Sequence, residues 1–554
     1  MDTFRTPGVY VQEIATLPPS VAEVATAIPA FLGYTERGAG EVARISGMLE
    51  FQAQFGGAKP SEGTVSATTD PQTGAVSVTL SSPTDKDIPK VLLYYCLSHY
   101  FLNGGGPCWV ISVGAFDKTA DKKDFLDGLT RLGQEDEPTL ILFPDATLLA
   151  APDYATVAQA ALAQCNSLKD RFVILDVPDG DTAGFRDGIG TQYLSYGAAY
   201  HPYLQTSSTR VFDETTVTVK SSNGQSSFRQ TFGSGAAGNG IAVRFVGPAG
   251  SSPKVKIGAG DEAKPVSFAV DGPTLTIGNV AGKKGAQIAD AWSAWRTDHP
   301  GADKGFTVTA DGDGSGAVGE TPADGAPLPV DASGNTQTLD QLRTTQTALY
   351  NQVRDLLGRS RVLLPPSAAV AGIYASVDRD RGVWKAPANV SVAGVIGPVR
   401  KITDADQEDL NVDVTAGKSI NAIRDFTGKG TLVWGARTLA GNDNEWRYVP
   451  VRRLFLTIEE STKKASAFAV FEPNDATTWL KVKGMIESYL YGLWEQGALA
   501  GAKPEAAYYV HVGLGRTMTA QDVLEGRLKV EIGIAAVRPA EFIVIRFMHK
   551  LQEA

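Results

Sequence analysis

The sequence predicts a multidomain α/β (α+β) protein with an α/β core, an inserted glycine-rich all-β domain, and an extended strand-forming arm at each end. Three observations predict this class. Apolar runs of strand length alternate with helical periodicity over residues 26–205. Residues 206–340 hold 21 of the 59 glycines. Both ends of the chain carry strand-like segments beside prolines, without a nearby strand to pair with.

The α/β core is predicted from three buried strands with helices between them. Residues 108–113, 139–144 and 171–176 are continuous apolar runs, and 123–132 and 153–168 have the apolar spacing of helices. Strands that alternate with helices are typical of a largely parallel sheet covered on both faces.

The glycine-rich region is predicted to be a small all-β domain inserted into that core. Short strand-like runs within 206–340 are separated by turn residues, and a shorter β excursion interrupts the core at 56–88. Long insertions at surface loops cost little free energy, so the core can remain intact around them.

The remaining domain boundaries follow from the return of helical periodicity after residue 339. The last third carries a strand-like run at 448–451 and two long helical patterns, from about 452 and from about 476. The predicted order is an N-terminal arm at 1–25, α/β core at 26–205, β-rich insertion at 206–340, return to the core at 341–395, C-terminal α/β domain at 396–536 and C-terminal arm at 537–554.

Each terminal arm is predicted to form a strand that leaves its backbone groups unpaired. The N-terminal strand lies between breakers at Pro7 and Pro18, and the C-terminal strand follows Pro539. Unpaired strands expose N–H and C=O groups that need partners, either in the same subunit or in another chain. The predicted strand residues are Val9, Tyr10, Val11, Gln12, Glu13 and Ile14, and Phe542, Ile543, Val544, Ile545, Arg546 and Phe547.

Charge and composition argue against several classes of partner. The net charge of −10 and pI of about 5.2 disfavour binding to nucleic acid or to an anionic membrane. The chain lacks an apolar run of membrane-spanning length and a signal peptide pattern, so neither membrane insertion nor secretion is predicted. Three cysteines, Cys96, Cys108 and Cys165, are too few and too scattered for a disulfide framework, which favours a reducing cytoplasm.

Matches to cofactor and metal motifs are incomplete. The GxGxxG at 233–238 is followed by a strand-like run, whereas a dinucleotide site needs a helix there. The loop beginning at Asp311 resembles a calcium loop, but Pro322 occupies the position of the bidentate glutamate. Residues 278–283 are one residue short of a phosphate-binding loop. The sequence therefore predicts no cofactor and no metal.

The sequence also predicts no catalytic residue and no enzyme activity. The five histidines do not fall at helical ligand spacing, and HExxH and GxSxG are absent from the sequence. The three cysteines lie in apolar runs, which favours buried structural thiols over nucleophiles.

Several blocks of sequence, taken together and in order, resemble contractile tail sheath proteins of phages, phage-tail-like bacteriocins and extracellular contractile injection systems. The blocks are TPGVYVQEI at 6–14, AIPAFLGY at 27–34, FLNGGGPCWVISV at 101–113, PSAAVAGIY at 366–374, GVWKAPAN at 382–389, VWGAR at 433–437, VPVRR at 449–453, IEES at 458–461 and FEPN at 471–474. A Gly-Asn turn at 235–241 is similar to one in the family's inserted domain, although Ala237 replaces the usual aromatic residue.

The resemblance implies a structural subunit that polymerises as stacked hexameric rings around an inner tube and contracts from a metastable extended state. It implies that the terminal arms add strands to sheets of neighbouring copies. The implied partners are further copies of the chain, the tube protein, and baseplate and tail terminator or cap proteins. The C-terminal domain would face the tube, with Lys481 and Lys483 as candidate contacts. Assembly in the bacterial cytoplasm, as part of a phage tail or a tail-like particle, is also implied.

Other interpretations remain open at this stage. A surface carbohydrate-binding protein or adhesin would use the β-rich insertion, and a hydrolase would use a site that the motifs do not reveal. Both arms could also pair within their own subunit. Within the family, the resemblance leaves phage, bacteriocin and injection system open, and the long insertion and the block at 101–113 favour an injection system.

Overall fold

The computed structural model describes residues 21–545, except 70–72, 74, 85–86, 223–224, 234–238, 249 and 332–335. The strands of this part of the chain are β1 Pro29–Thr35, β2 Val42–Ile45, β3 Thr64–Thr69, β4 Val76–Ser82, β5 Cys108–Ala115, β6 Leu140–Leu142, β7 Phe172–Asp176, β8 Gly197–His201, β9 Leu204–Thr209, β10 Thr218–Ser222, β11 Gln225–Phe232, β12 Ile241–Pro248, β13 Lys254–Ile257, β14 Ser267–Asp271, β15 Thr274–Gly278, β16 Phe306–Ala310, β17 Ala326–Pro327, β18 Thr336–Thr338, β19 Arg361–Leu364, β20 Val390–Ser391, β21 Val395–Pro398, β22 Ile420–Phe426, β23 Gly430–Val433, β24 Tyr508–Val512 and β25 Val530–Ile534. The helices are α1 Met48–Phe55, α2 Leu93–Leu102, α3 Lys122–Leu132, α4 Ala151–Leu168, α5 Thr182–Gly188, α6 Gly285–Asp298, α7 Leu339–Thr345, α8 Thr347–Leu357, α9 Ser367–Arg381, α10 Asp404–Asn411, α11 Val449–Ala465, α12 Ala476–Glu495, α13 Pro504–Ala507 and α14 Ala520–Leu524.

The chain divides into two compact units. Among the described residues, unit 1 comprises those within 21–59, 87–208 and 361–545, and unit 2 comprises those within 60–86 and 209–360. The mixed α/β class predicted from the sequence is confirmed.

Unit 1 is built around a nine-stranded sheet with the order β2-β5-β1-β6-β7-β8-β22-β23-β20. The six central strands from β5 to β22 are parallel, and antiparallel strands complete both edges. Every residue of β1, β6, β7 and β8 is buried, as expected for a sheet covered on both faces. Helix α2 lies so close to α9 that a side chain in place of Gly372 would meet the backbone oxygen of Tyr100.

Two buried aspartates satisfy the N-terminal backbone of these two helices. Asp145, just after β6, accepts hydrogen bonds from the backbone N–H groups of Leu92 and Leu93 at 2.5 and 3.2 Å. Asp176, at the end of β7, accepts from the backbone N–H and hydroxyl of Ser367 at 2.8 and 2.6 Å. Neither helix has a capping side chain of its own, so carboxylates from the sheet take that role.

Asp176 predicts a pH-dependent contribution to stability. Burial raises its pKa to about 7, although the hydrogen bonds from Ser367 act in the opposite direction. The folded state therefore holds this proton more tightly than the unfolded state, in which an aspartate has a pKa of about 4. Stability from this group is present at low pH and is lost as the pH rises towards 7, by at most about 1.4 kcal/mol per pH unit.

We expect Asp176→Asn to flatten this part of the pH dependence of stability, because asparagine stays neutral. The Ser367 hydroxyl can rotate to accept a hydrogen bond from the asparagine amide N–H. The measurement is the free energy of unfolding in denaturant at pH 5, 6, 7 and 8. The exposed Asp187→Asn is the control and keeps the wild-type slope. An unchanged slope in Asp176→Asn would contradict the assignment.

The C-terminal part of unit 1 has its own apolar cluster, formed by α11, α12 and the antiparallel pair β24–β25. Leu454 and Ile458 of α11 meet Val482 and Ile486 of α12 in it. Asp475 caps α12 by accepting from the backbone N–H of Thr478 at 3.0 Å. Within the described residues, no helix is long and apolar enough to cross a membrane.

In its described residues, unit 2 contains three small sheets and three helices. The sheets have the orders β18-β10-β3-β4, β11-β12-β16 and β14-β15-β13-β17. Strand β3, from the excursion at 56–88, pairs in parallel with β10, which joins the two insertions in one sheet.

Two sequence predictions about this region are wrong. The insertion at 206–340 is not all-β, because α6 buries Ile288 and Trp292 against its sheets at helical spacing. Residues 341–357 do not return to the core, because α8 packs Leu349 and Val353 with Val219 in unit 2. Glycine-rich turns on either side concealed α6, whereas the helical periodicity after residue 339 was recognised but assigned to the wrong unit.

Candidate functional site

The root of the N-terminal arm lies against α11. The predicted strand residues Val9, Tyr10, Val11, Gln12, Glu13 and Ile14 are outside the described residues. Beyond them, the Val24 backbone N–H donates to Ser461 Oγ at 3.1 Å. The Thr26 carbonyl accepts from Arg453 Nη2 and from Thr139 Oγ1, both at 2.9 Å. The arm root is therefore held by a C-terminal helix as well as by the residue before β6.

Arg453 reaches Thr26 from a buried ion pair with Asp378 of α9. Its Nη1 and Nη2 lie 2.9 and 2.5 Å from the two carboxylate oxygens, and the side chains are 3% and 5% exposed. The guanidinium carbon lies 4.6 Å from the centre of the Tyr374 ring. Burial disfavours the charge on Arg453, but Asp378 outweighs it and raises the pKa of Arg453.

The root of the C-terminal arm runs along the body of unit 1. The Val537 N–H donates to the Ala498 carbonyl at 3.3 Å, and Arg538 Nη1 donates to the Asn444 carbonyl at 2.7 Å. Glu541 then enters a socket formed by Asn411, Arg437 and Tyr448.

The Glu541 socket satisfies both carboxylate oxygens. Oε1 accepts from Arg437 Nε at 2.8 Å and from Asn411 Nδ2 at 2.9 Å. Oε2 accepts from Arg437 Nη2 at 2.6 Å and from the Tyr448 hydroxyl at 3.2 Å. Burial opposes ionisation, yet Arg437 and Asn411 outweigh it and lower the pKa of Glu541.

Beyond the socket, the described residues of the C-terminal arm are solvent-exposed. Phe542, Ile543, Val544 and Ile545 are 70–80% exposed and have no strand partner in the described part of the chain. Arg546 and Phe547 lie outside the described residues. Four consecutive exposed large apolar residues are unusual on a protein surface.

The sheet β24–β25 has only two strands in the described residues. Tyr508 pairs with Ile534 at one end, and Val512 pairs with Val530 at the other. One face packs on α12 through Val510, while Tyr509 on the other face is exposed. A two-stranded sheet has an open edge on each side, where a further strand can add.

The two lysines proposed for α12 do not lie together. Lys481 is exposed, whereas Lys483 is partly buried and lies 3.5 Å from Glu487 one turn later. Residues two apart on a helix do not share a face. Lys481 instead belongs to an exposed or half-exposed stripe, the α12 stripe, formed by Thr477, Lys481, Gly484, Ser488, Tyr491 and Glu495.

The cysteines and Asp313, which were considered for chemistry, occupy structural positions, whereas residues 234–238 of the GxGxxG match lie outside the described residues. Cys96, Cys108 and Cys165 are buried free thiols, as predicted, and burial raises the pKa of each. Asp313 accepts hydrogen bonds from the Ser315 backbone N–H and hydroxyl in its own turn. In the described residues, no group of three His, Cys, Asp or Glu side chains is placed to hold a metal.

Sequence reasoning missed the residues that hold the arm roots. Arg437 and Arg453 lay in the blocks that carried the family resemblance, but nothing nearby in sequence named their partners. Glu541 is 104 positions from Arg437 and Asp378 is 75 from Arg453.

Comparison with known proteins finds similarity to tail sheath proteins. The model of the phage tail sheath C-terminal domain matches residues 441–549. The chain is 26% identical over 136 residues to the tail sheath protein of Vibrio phage KVP40, covering 24% of this chain and 20% of that one. It is 30% identical over 157 residues to that of Burkholderia phage BcepMu, covering 27% and 32%.

Among solved structures, the helical sheath of the anti-feeding prophage in its contracted state matches with a TM-score of 0.55 and 26% identity. That match covers 99% of this chain and 100% of the other. The matches to curated relatives are shorter and span between about a fifth and about half of each relative's length.

Proposed function

The chain belongs to the contractile tail sheath proteins, and from this premise we propose that it polymerises as stacked hexameric rings around an inner tube and contracts to drive that tube through a target envelope. The observation that carries the proposal is the match to a contractile sheath along the whole chain. Baseplate proteins and a terminator or cap protein would bound the polymer, which would assemble in the bacterial cytoplasm. The polymer would be part of a phage tail or of a phage-tail-like contractile particle.

The arms supply the links between copies in this proposal. Phe542 and Val544 alternate with Ile543 and Ile545, as in a strand, and their exposure leaves them free to add to another copy. We assign β24–β25 as the acceptor, because its open edges can hydrogen-bond an incoming backbone. Strand addition joins copies through main-chain hydrogen bonds, so the link can survive a change in the angle between subunits.

Energy for contraction would be stored in the interfaces between subunits. Burying a few hundred Å² more apolar surface per subunit would release several kcal/mol, at about 25 cal/mol per Å². Summed over hundreds of subunits, this is a large mechanical output without nucleotide hydrolysis.

Negative-stain electron microscopy of the purified chain tests the proposal. We expect tubes or helical polymers of stacked rings. A protein that stays monomeric at all concentrations, with both arms intact, would contradict it.

The tube would contact the α12 stripe, and Lys481 is its one lysine. We expect Lys481→Gln to weaken tube binding about two- to fivefold, the effect of losing one exposed ion pair of up to about 1 kcal/mol. Lys483→Gln removes the same charge from a side chain already beside Glu487, so it serves as the matched control.

The measurement is co-sedimentation of preformed tubes with each sheath variant at several salt concentrations. Equal binding by wild type and Lys481→Gln at low salt would exclude Lys481 from the contact. A larger loss in Lys483→Gln would place the tube on the other side of α12.

A further inference from the structure

The Glu541 socket lies at the point where the C-terminal arm leaves the body of the subunit. We propose that Glu541 is the positioning residue that anchors this arm, so that the moving part begins at Phe542 and tension on the arm enters unit 1 through Arg437. The inference rests on the proposed function for its mechanical role, while the anchor itself can be tested on a single subunit.

The socket is a built site rather than a chance surface contact. Arg437 is 4% exposed in its side chain, and Glu541 is 22% exposed. Four hydrogen bonds from three side chains fill the carboxylate, and two of them come from a bidentate guanidinium. Bidentate pairs of this kind fix orientation as well as position.

The socket is tied to the nine-stranded sheet. Asn421 of β22 accepts from the Arg437 backbone N–H at 2.8 Å and donates to the Arg437 carbonyl at 2.8 Å. The same Asn421 amide donates to the Ala199 carbonyl of β8 at 3.1 Å. Arg437 Nη1 also donates to the Asn411 carbonyl at 3.0 Å. Tension at Glu541 therefore reaches the two strands through consecutive hydrogen bonds.

The contrast on either side of Glu541 places the pivot. Before it, Val537 and Arg538 hydrogen-bond to the body of the unit. After it, residues 542–545 make no hydrogen bond within the described residues and are at least 70% exposed. Pro539 is therefore held between two attachments.

The two arm roots are attached reciprocally. The N-terminal arm precedes β1, yet Arg453 and Ser461 of the C-terminal helix α11 hold it. The C-terminal arm follows β25, yet Arg437 and Asn411, which precede α11, hold it. Each arm thus delivers its load to elements far away in the chain.

Spin labels on either side of Glu541 test the anchor. The chain carries no exposed cysteine in its described residues, so Ala540→Cys and Ile543→Cys can each be labelled selectively with a nitroxide. In the unassembled full-length subunit, we expect slow motion at 540 and motion severalfold faster at 543. Comparable fast motion at both positions in the otherwise wild-type chain would overturn the proposal.

Removing the charge should release the arm root. In Glu541→Gln we expect the label at 540 to become as mobile as the label at 543, while Glu505→Gln, an exposed glutamate, leaves it slow. Tyr448→Phe, which removes only the 3.2 Å hydrogen bond, should give a smaller increase and covers the case in which Glu541→Gln does not fold. A label at 540 that stays slow in a folded Glu541→Gln subunit would also overturn the anchor.

The same labels separate this inference from the proposed function. On polymerisation, the label at 543 should become immobile in wild type, because the arm joins a neighbouring copy. If no polymer forms but 540 and 543 still differ in the single subunit, the anchor stands and the sheath function fails. If polymers form but the labels at 540 and 543 are equally mobile before assembly, the sheath function stands and the anchor fails.

Discussion

We expect the removal of residues 542–554 to leave a subunit that folds but no longer polymerises. The described residues of this segment contribute nothing to the core, since Phe542, Ile543, Val544 and Ile545 are 70–80% exposed. Their loss should therefore leave the free energy of unfolding within about 0.5 kcal/mol of wild type. Assembly should be abolished, because each copy loses the strand that it adds to a neighbour.

Electron microscopy and sedimentation velocity measure the polymer, and denaturant unfolding measures the fold. Val544→Pro is the finer variant, because it removes one backbone donor and leaves the arm otherwise intact. Deletion of 548–554 alone is the length control, and this variant should still polymerise.

Removal of residues 1–16 should likewise leave a folded subunit that does not polymerise. Loss of folding in that variant would place the N-terminal arm inside its own domain.

Breaking the Arg453–Asp378 pair should cause the largest loss of stability of any single substitution considered. Arg453→Leu leaves the Asp378 carboxylate 5% exposed and without its bidentate partner. Removal of one member of a buried ion pair typically costs about 3–5 kcal/mol, mostly from the stranded charge. It also removes one of the two donors to the Thr26 carbonyl, which loosens the N-terminal arm root.

The double variant Arg453→Met with Asp378→Leu separates these effects. It removes both charges, so we expect it to recover most of the stability while the Thr26 contact stays lost. The neighbouring pair Arg379–Asp380 is 60% and 58% exposed, and Arg379→Leu should cost under about 1 kcal/mol. Equal costs for Arg453→Leu and Arg379→Leu would contradict the assigned role of the buried pair.

The sequence was most informative where local pattern and tertiary environment agree. The runs at 108–113 and 171–176 were predicted as buried strands and are β5 and β7, because a strand covered on both faces reads as continuously apolar. The run at 448–451 was predicted as a strand but begins helix α11. Its β-branched valines misled the prediction, although Pro450 suits the first turn of a helix.

The sequence indicated which segments to consider for the candidate site but not the contacts that they make. Proline breaks and alternation marked the C-terminal arm, whereas its anchor depends on Arg437 and Asn411, which are far away in sequence. The helical pattern from about residue 476 predicted α12, but it gave no reason to distinguish Lys481 from Lys483. Only the helical geometry separates the exposed Lys481 from Lys483 beside Glu487.

The socket also bears on how this protein can be dissected. The matched family domain spans 441–549, so a fragment cut there keeps Glu541 and Tyr448 but loses Arg437 and Asn411. Glu541 would then be exposed to solvent with the Tyr448 hydroxyl as its one remaining partner from the socket, and the arm root would become more mobile. In a fragment that begins at residue 441, the C-terminal arm root should therefore be only partly attached. A fragment that begins before residue 404 would keep the whole Glu541 socket.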